Sequence, residues 1–160
     1  MKIGIYGKAG SGKTTISALF KNSGYKIVNC DEMVKEAYIS NSVIRDFISK
    51  NHGEVICIDP REGFQTLVVD KDRLIKVLIS DKLFREQLEN LLFKQIFKPL
   101  LYKHSDIIMD GILPKFCERF DTVLFASCDE KERVRRLAKR GMSKARIKEI
   151  DQLQIKWRSC

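Results

Sequence analysis

Gly7-Lys8-Ala9-Gly10-Ser11-Gly12-Lys13-Thr14 fits the pattern G-x-x-x-x-G-K-[ST] at every position. Ahead of it, Lys2-Ile3-Gly4-Ile5-Tyr6 is a short β-prone run, which predicts a strand over 2–6. Behind it, Thr15-Ile16-Ser17-Ala18-Leu19-Phe20-Lys21 spaces its apolar residues as a helix does, which predicts a helix from about 13 to 22. A strand, a glycine-rich turn and a helix start together make a phosphate cradle. Gly7, Gly10 and Gly12 allow backbone angles and close approach that a Cβ would obstruct. The loop N–H groups and the helix dipole then face a polyphosphate. Lys13 is placed to reach the β/γ oxygens and the Thr14 hydroxyl to ligate Mg²⁺. Ser11 and Thr15 complete the candidate nucleotide-binding set. The pattern implies binding of a nucleoside triphosphate with Mg²⁺.

The chain has 160 residues, 44% of them hydrophobic, enough for one ordinary domain with a real core. It holds no apolar run of about 18 residues, so no membrane span is expected. Its first residues enter a strand directly, without the basic-then-apolar pattern of a secretory leader, and a cytoplasmic location is expected. Cys30, Cys57, Cys117, Cys128 and Cys160 are scattered and form no C-x-x-C pair, so neither a zinc site nor a disulfide framework is indicated. Bystander thiols are expected, with Cys30 notable for adjoining a candidate site residue.

The net charge of +9 is concentrated near the C-terminus. Between Lys131 and Arg158 stand eleven basic residues against Glu132, Glu149 and Asp151. Three readings of this stretch are open. It could be a solvated helix face, a nucleic-acid patch, or an arginine-bearing lid over a phosphoryl-transfer site.

Further along the chain, Lys26-Ile27-Val28-Asn29 predicts a second strand, and helical spacing follows at 33–38 and 43–48. Residues 52–69 look irregular, with Gly53, Pro60 and Gly63 as turn signals. Asp72 to Ser80 and Lys82 to Tyr102 carry helical periodicity, with Pro99 expected to bend or break the second. Asp106 to Met109 and Thr122 to Ala126 read as buried strands, and two basic helices follow, split at Gly141. Strands alternating with helices predict an α/β fold with a parallel sheet flanked by helices and right-handed crossovers. Ligands bind beyond the carboxyl ends of such strands. Three of the four predicted strands end at a polar candidate, namely the loop from Gly7, Asp31 and Asp110.

Phosphoryl transfer needs held phosphates, a metal, charge compensation and an aligned acceptor hydroxyl. Asp31, just past the second strand, could take or orient an acceptor proton, or could cap the helix that follows. Asp110 could be a metal-side carboxylate, or simply half of an Asp-Gly turn. Arg133 and Arg136 lie three apart and Arg136 and Arg140 four apart, so subsets share a helix face. Guanidinium forks suit phosphate oxygens, and Arg140, beside Gly141, is the best candidate to swing in on closure. His52 and His104 read as surface or capping residues, and Trp157 as packing.

These stretches resemble dephospho-coenzyme A kinase, of the nucleoside-monophosphate-kinase-like P-loop proteins. The resemblance is carried by Met1 to Thr14, by Gly24-Tyr25-Lys26-Ile27-Val28-Asn29-Cys30-Asp31-Glu32, and by Val69 to Asp81. Leu88-Glu89-Asn90-Leu91-Leu92 and Val123 to Arg140, with its Arg136-Leu137 and Arg140, add to it. The chain departs from that pattern at Asn29, at Lys71, at Phe93-Lys94 and after Asp110, and ends at Cys160 ahead of the family's terminal strand. The resemblance implies one P-loop kinase domain over 1–160, with a helical acceptor-side insertion at about 32–103 and a basic lid at about 129–148. It implies ATP, Mg²⁺ and dephospho-CoA as small-molecule partners. It implies Lys13, Asp31 and Arg140 as catalytic residues, Arg136 on the nucleotide, and Thr14 and Asp110 on the metal. Alternatives are a nucleoside or deoxynucleoside monophosphate kinase, or a non-catalytic nucleotide-dependent protein that grips nucleic acid.

Overall fold

The apolar run before the glycine loop forms a strand, as its β-prone composition requires, and the rest of the sheet assembles around it. A computed structural model of the chain describes residues 1–58 and 67–154. In chain order the first elements are β1 (Lys2–Tyr6), α1 (Lys13–Ala18), β2 (Lys26–Asn29), α2 (Cys30–Ser40) and α3 (Ser42–Asn51). Next come a short 3₁₀ turn (Gly53–Val55), β3 (Ile56–Ile58), β4 (Leu67–Val69), α4 (Lys71–Ser80) and α5 (Lys82–Leu92). A π-turn (Phe93–Phe97) leads to α6 (Lys98–Lys103) and β5 (Ile107–Asp110). A 3₁₀ segment (Pro114–Arg119), β6 (Thr122–Phe125), α7 (Glu130–Lys139) and α8 (Lys144–Leu153) complete the series. The backbone divides into two compact units, one of Met1–Asp31 with the chain from Leu100 onward, the other of Glu32–Pro99.

The first unit carries a four-stranded sheet in the order β2-β5-β1-β6. Every neighbouring pair is parallel, with Ile5 and Asn29 both in register with Asp110. The register brings the carboxyl ends of β1, β2 and β5 level, so the chain leaves all three at one edge. Ile3, Ile5, Ile108 and Ala126 are buried together, with Ile16, Phe20 and Tyr25 against them. Each of the buried isoleucines contributes about 1.5–3 kcal/mol by leaving water. α1 is shorter than its spacing predicts. From Leu19 to Ser23 the backbone bonds tighten to three-residue steps, such as Phe20 N–H to Ser17 O at 3.1 Å. Gly24, at φ +81°, then turns the chain toward β2.

The second unit is helical around Ile44, Ile48, Val55, Leu74, Phe84 and Leu88. Three of its helices start at side-chain caps. Asn41 accepts from the Ile44 N–H, Asp70 from Asp72 and Arg73, and Asp81 from Phe84, each such cap worth about 1 kcal/mol. Two features differ from the sequence expectation. The stretch 52–69 is not wholly irregular: Ile56 pairs antiparallel with Val69 and Ile58 with Leu67, in strands of three residues that are too short to show a period. Pro60 and Gly63 lie outside the described residues, as do Trp157 and Cys160. The periodic run from Lys82 is interrupted upstream of Pro99 rather than at it. Lys98 N–H reaches back five residues to the Phe93 carbonyl, because a proline in the next turn cannot donate and its ring crowds the carbonyl four residues earlier.

Among the described residues no helix is long and apolar enough to cross a membrane. Cys30, Cys57 and Cys128 are free thiols, as expected of bystanders.

Candidate nucleotide-binding site

The loop between β1 and α1 takes the backbone path its glycines permit. Gly7, Gly10 and Gly12 have φ of +151°, +81° and +99°. A Cβ on Gly7 would lie 2.2 Å from the Ala126 carbonyl oxygen, and one on Gly10 would lie 2.9 Å from Leu137 Cγ. No other residue fits either position without moving backbone or core. Gly12 is the N-cap of α1 and offers no side-chain cap, so the N–H groups of Lys13 and Thr14 open outward from a helix start. Thr14 and Thr15 are exposed on that first turn. The Ser11 hydroxyl is buried and finds no hydrogen-bond partner among the described residues. A buried orphan hydroxyl inside a glycine loop fits an acceptor supplied from outside the chain.

Lys13 bends back over the loop, donating from Nζ to the Gly7 carbonyl at 2.9 Å and the Lys8 carbonyl at 3.2 Å. Its pKa is held below the ordinary lysine value, first by burial and then by Arg140, while Asp31, Asp110 and Cys30 pull it upward. The structure therefore gathers Lys13, Asp31, Asp110 and Arg140 from four separate stretches into one electrostatic environment. Burial and the adjacent carboxylates Asp31 and Asp110 push the Cys30 thiol far up, so it stays protonated and unreactive.

Asp110 ends β5 and is buried, and its Oδ2 accepts from the Ser17 hydroxyl at 3.2 Å. Ser17 also lies 3.1 Å from the Thr14 carbonyl. One hydroxyl thus links Asp110 to the turn that carries Thr14. Asp31 lies inside the first turn of α2, which begins at Cys30, and not at a cap ahead of it. Its carboxylate is beside Gly111, where a Cβ would sit 3.7 Å from Asp31 Oδ1.

Arg136 reaches the loop from α7. A Cβ on Gly12 would be 3.6 Å from Arg136 Nη1, and Arg136 Nε donates to Glu132 at 2.8 Å. Arg135 and Arg136 together bring the Glu132 carboxyl down to about 2. Arg140 is the exposed C-cap of the same helix. His52, in the helical unit, has Glu54 at 3.0 Å and Asp81 at 3.3 Å.

Sequence reasoning missed three participants. Ser17 was readable as the residue one helical turn beyond Lys13, on the same face. Arg133 was noted only for sharing a helix face with Arg136, yet it is 2% exposed, bridges Glu130 and Asp151, and donates to the Ala9 carbonyl at 3.1 Å. Gln154 carried no local signal, and its Oε1 accepts from the Ala9 N–H at 2.9 Å.

Fold and loop define an α/β P-loop protein of the nucleoside-monophosphate-kinase-like type. The chain belongs to the AAA domain family, whose model matches residues 3–156. It is 41% identical over 54 residues to a dephospho-CoA kinase of Clostridium tetani (strain Massachusetts / E88), a match covering 34% of this chain and 24% of the relative. It is 28% identical over 86 residues to a dephospho-CoA kinase of Synechococcus sp. (strain JA-2-3B'a(2-13)), covering 54% of this chain and 34% of the relative. The chain thus spans about a quarter to a third of the length of these relatives. A crystal structure from Thermus thermophilus superposes with a TM-score of 0.68 at 21% identity, over 99% of this chain and 85% of that one, and supports the fold.

Proposed function

We propose that the chain is an ATP-dependent phosphotransferase, a nucleotide kinase of the P-loop type, and that its acceptor is the ribose 3′-hydroxyl of dephospho-CoA. The observation that carries this reading is the glycine loop with Lys13 folded over it, Asp110 joined through Ser17 to the Thr14 turn, and Asp31 beside Gly111. A loop that only bound nucleotide would need the cation and its N–H groups. A further carboxylate, Asp31, and arginines on the helix that reaches the loop are what transfer additionally requires. The names of the two matched relatives supply the acceptor class.

In this reading Gly7, Gly10, Ser11, Gly12 and Thr15 line the triphosphate. Lys13 neutralises charge on its β/γ oxygens. Asp31 takes or orients the proton of the attacking hydroxyl. Arg136 holds the nucleotide, and Arg140 covers the transferring phosphoryl group. Mg²⁺ would be held by the Thr14 hydroxyl and Asp110. No group of three or more His, Cys, Asp or Glu among the described residues could hold a metal alone. That donor set fits an ion which keeps most of its shell from phosphate and water. When bound, the ion would offset charge between the phosphates.

The test is ADP formation from Mg-ATP with dephospho-CoA, AMP, dCMP or no acceptor. Turnover with dephospho-CoA above all others supports the assignment. Preference for a nucleoside or deoxynucleoside monophosphate would move the acceptor to that class, and no turnover with any acceptor would overturn the enzyme reading.

A further inference from the structure

The peptide of Ala9 is held from both sides by residues more than a hundred positions away. Its N–H donates to Gln154 Oε1 at 2.9 Å, and its carbonyl accepts from Arg133 Nη1 at 3.1 Å. The neighbouring Gly10 carbonyl lies 3.8 Å from Cys128 Sγ, a weak contact. We propose that Arg133 and Gln154 are positioning residues of the phosphate loop. They clamp the two peptide groups flanking Ala9 and hold the loop in its anion-receptive form before a nucleotide arrives. This rests on the reading that the loop binds nucleotide.

The geometry of Arg133 argues for aim rather than mere packing. Glu130 engages Nε at 2.9 Å and Nη2 at 2.5 Å, and Asp151 engages Nη2 at 2.6 Å. Such a fork fixes the plane of the guanidinium, which leaves Nη1 directed at the Ala9 carbonyl. A buried cation is costly to desolvate, and an apolar residue would join α7 to α8 at least as well. What an apolar residue could not do is bind a loop carbonyl at a set angle.

The loop needs such help. Three glycines at positive φ lie between Gly7 and Gly12, and each loses more backbone freedom on ordering than any other residue would. Ordering the loop before binding removes that cost from the binding step. The clamp also joins the loop to the helix that bears Arg136 and Arg140. Leu137 and Arg133 press on Gly10 itself, at 2.9 Å and 3.1 Å from a Cβ placed there.

The test uses Gln154→Leu, which removes the acceptor, and Gln154→Glu, which keeps one. Exchange of the Ala9 amide is followed by NMR in the nucleotide-free protein, and Mg-ATP affinity by calorimetry. Arg133→Lys, which keeps the charge and loses the fork, is a companion, but the Gln154 pair decides the matter even if that variant folds poorly. We expect Gln154→Leu to speed Ala9 exchange and weaken Mg-ATP binding, each by roughly tenfold. The amides of Ile3 and Ile5 should be unchanged, and Gln154→Glu, which keeps the acceptor, should restore slow Ala9 exchange. Unchanged Mg-ATP affinity in Gln154→Leu, or lost affinity with Ala9 exchange unchanged, would overturn the clamp. If the wild-type protein bound no Mg-ATP, the nucleotide reading would fail by itself, while the Ala9 exchange contrast would still decide whether the clamp exists.

Discussion

Arg133 Nη1 donates to the carbonyl oxygen of Ala9 at 3.1 Å, across 124 residues of sequence. The glycine loop and helix α7 are therefore fastened together, and Arg136 and Arg140 approach the loop from a helix anchored within its first turn. The expectation that Arg140 swings in on closure has to allow for that anchor. Any movement that brings Arg140 onto a nucleotide must take place beyond Arg133.

Two glycines of equal φ separate backbone strain from loss of contact. Gly10 and Gly24 both have φ of +81°, but a Cβ on Gly24 meets nothing within 4 Å, whereas one on Gly10 meets Leu137 and Arg133. Gly24→Ala is expected to lower unfolding free energy by about 1–2 kcal/mol, the left-handed backbone cost, and to leave nucleotide affinity intact. Gly10→Ala is expected to cost about 1–3 kcal/mol beyond that and to abolish measurable Mg-ATP binding. Denaturant melts and calorimetry on both variants check this, and equal behaviour would contradict the packing described for Gly10.

Lys13→Ala should reduce turnover by about 10² or more, the scale for losing one preorganised charge donor. Its pH behaviour has a definite sign. The folded pKa lies below the ordinary value of 10.5, so between the two the unfolded chain binds more protons at this site than the folded one. Across that window the contribution of Lys13 to folding stability rises with pH, while nucleotide affinity falls as the ammonium is lost. An alkaline loss of Mg-ATP affinity starting below pH 10.5 is expected, and Lys13→Arg should remove it. Affinity flat up to the ordinary lysine range would show that Lys13 carries no depressed pKa.

Arg140 and Arg136 should differ in kind. Arg140→Ala is expected to lower kcat by about 10²-fold or more, with little change in KM for Mg-ATP, because its contact strengthens as charge moves. Arg136→Ala should act mainly on KM, since Arg136 already reaches the loop beside Gly12. Steady-state kinetics on the two variants would reveal the split. A pure KM effect at Arg140 would remove it from the transferring group.

Asp110→Asn, which changes a residue proposed to hold the ion, should raise the Mg²⁺ concentration for half-maximal activity by at least the roughly 10- to 100-fold that follows from disturbing a metal's outer shell. Ser17→Ala, which deletes the hydroxyl between Asp110 and the Thr14 turn, should shift it in the same direction by less. A magnesium titration unaffected by either change would make Asp110 a structural residue only.

The parallel sheet was legible because its strands are nearly continuous apolar runs, and Ile107, Ile108 and Met109 are buried as such runs imply. The phosphate loop was legible because its defining pattern is local, all of it inside eight consecutive residues. The hairpin of β3 and β4 was not, since three residues a side carry no readable period. The π-turn at Phe93–Phe97 was half legible: Pro99 announced an interruption, but the ladder yields one turn earlier. The Ala9 clamp was hidden for a different reason. Its donors and acceptors lie far apart in sequence, and a buried arginine cannot be told by composition from its solvated neighbours.

The most direct test of the central claim is the mass of dephospho-CoA after incubation with Mg-ATP and the wild-type protein. A gain of one phosphoryl group, matched by ADP and absent with Lys13→Ala and Asp31→Asn, is the result this account predicts. Unchanged dephospho-CoA under conditions where Mg-ATP binds would contradict it, and would leave a loop that holds nucleotide without passing phosphate to this acceptor.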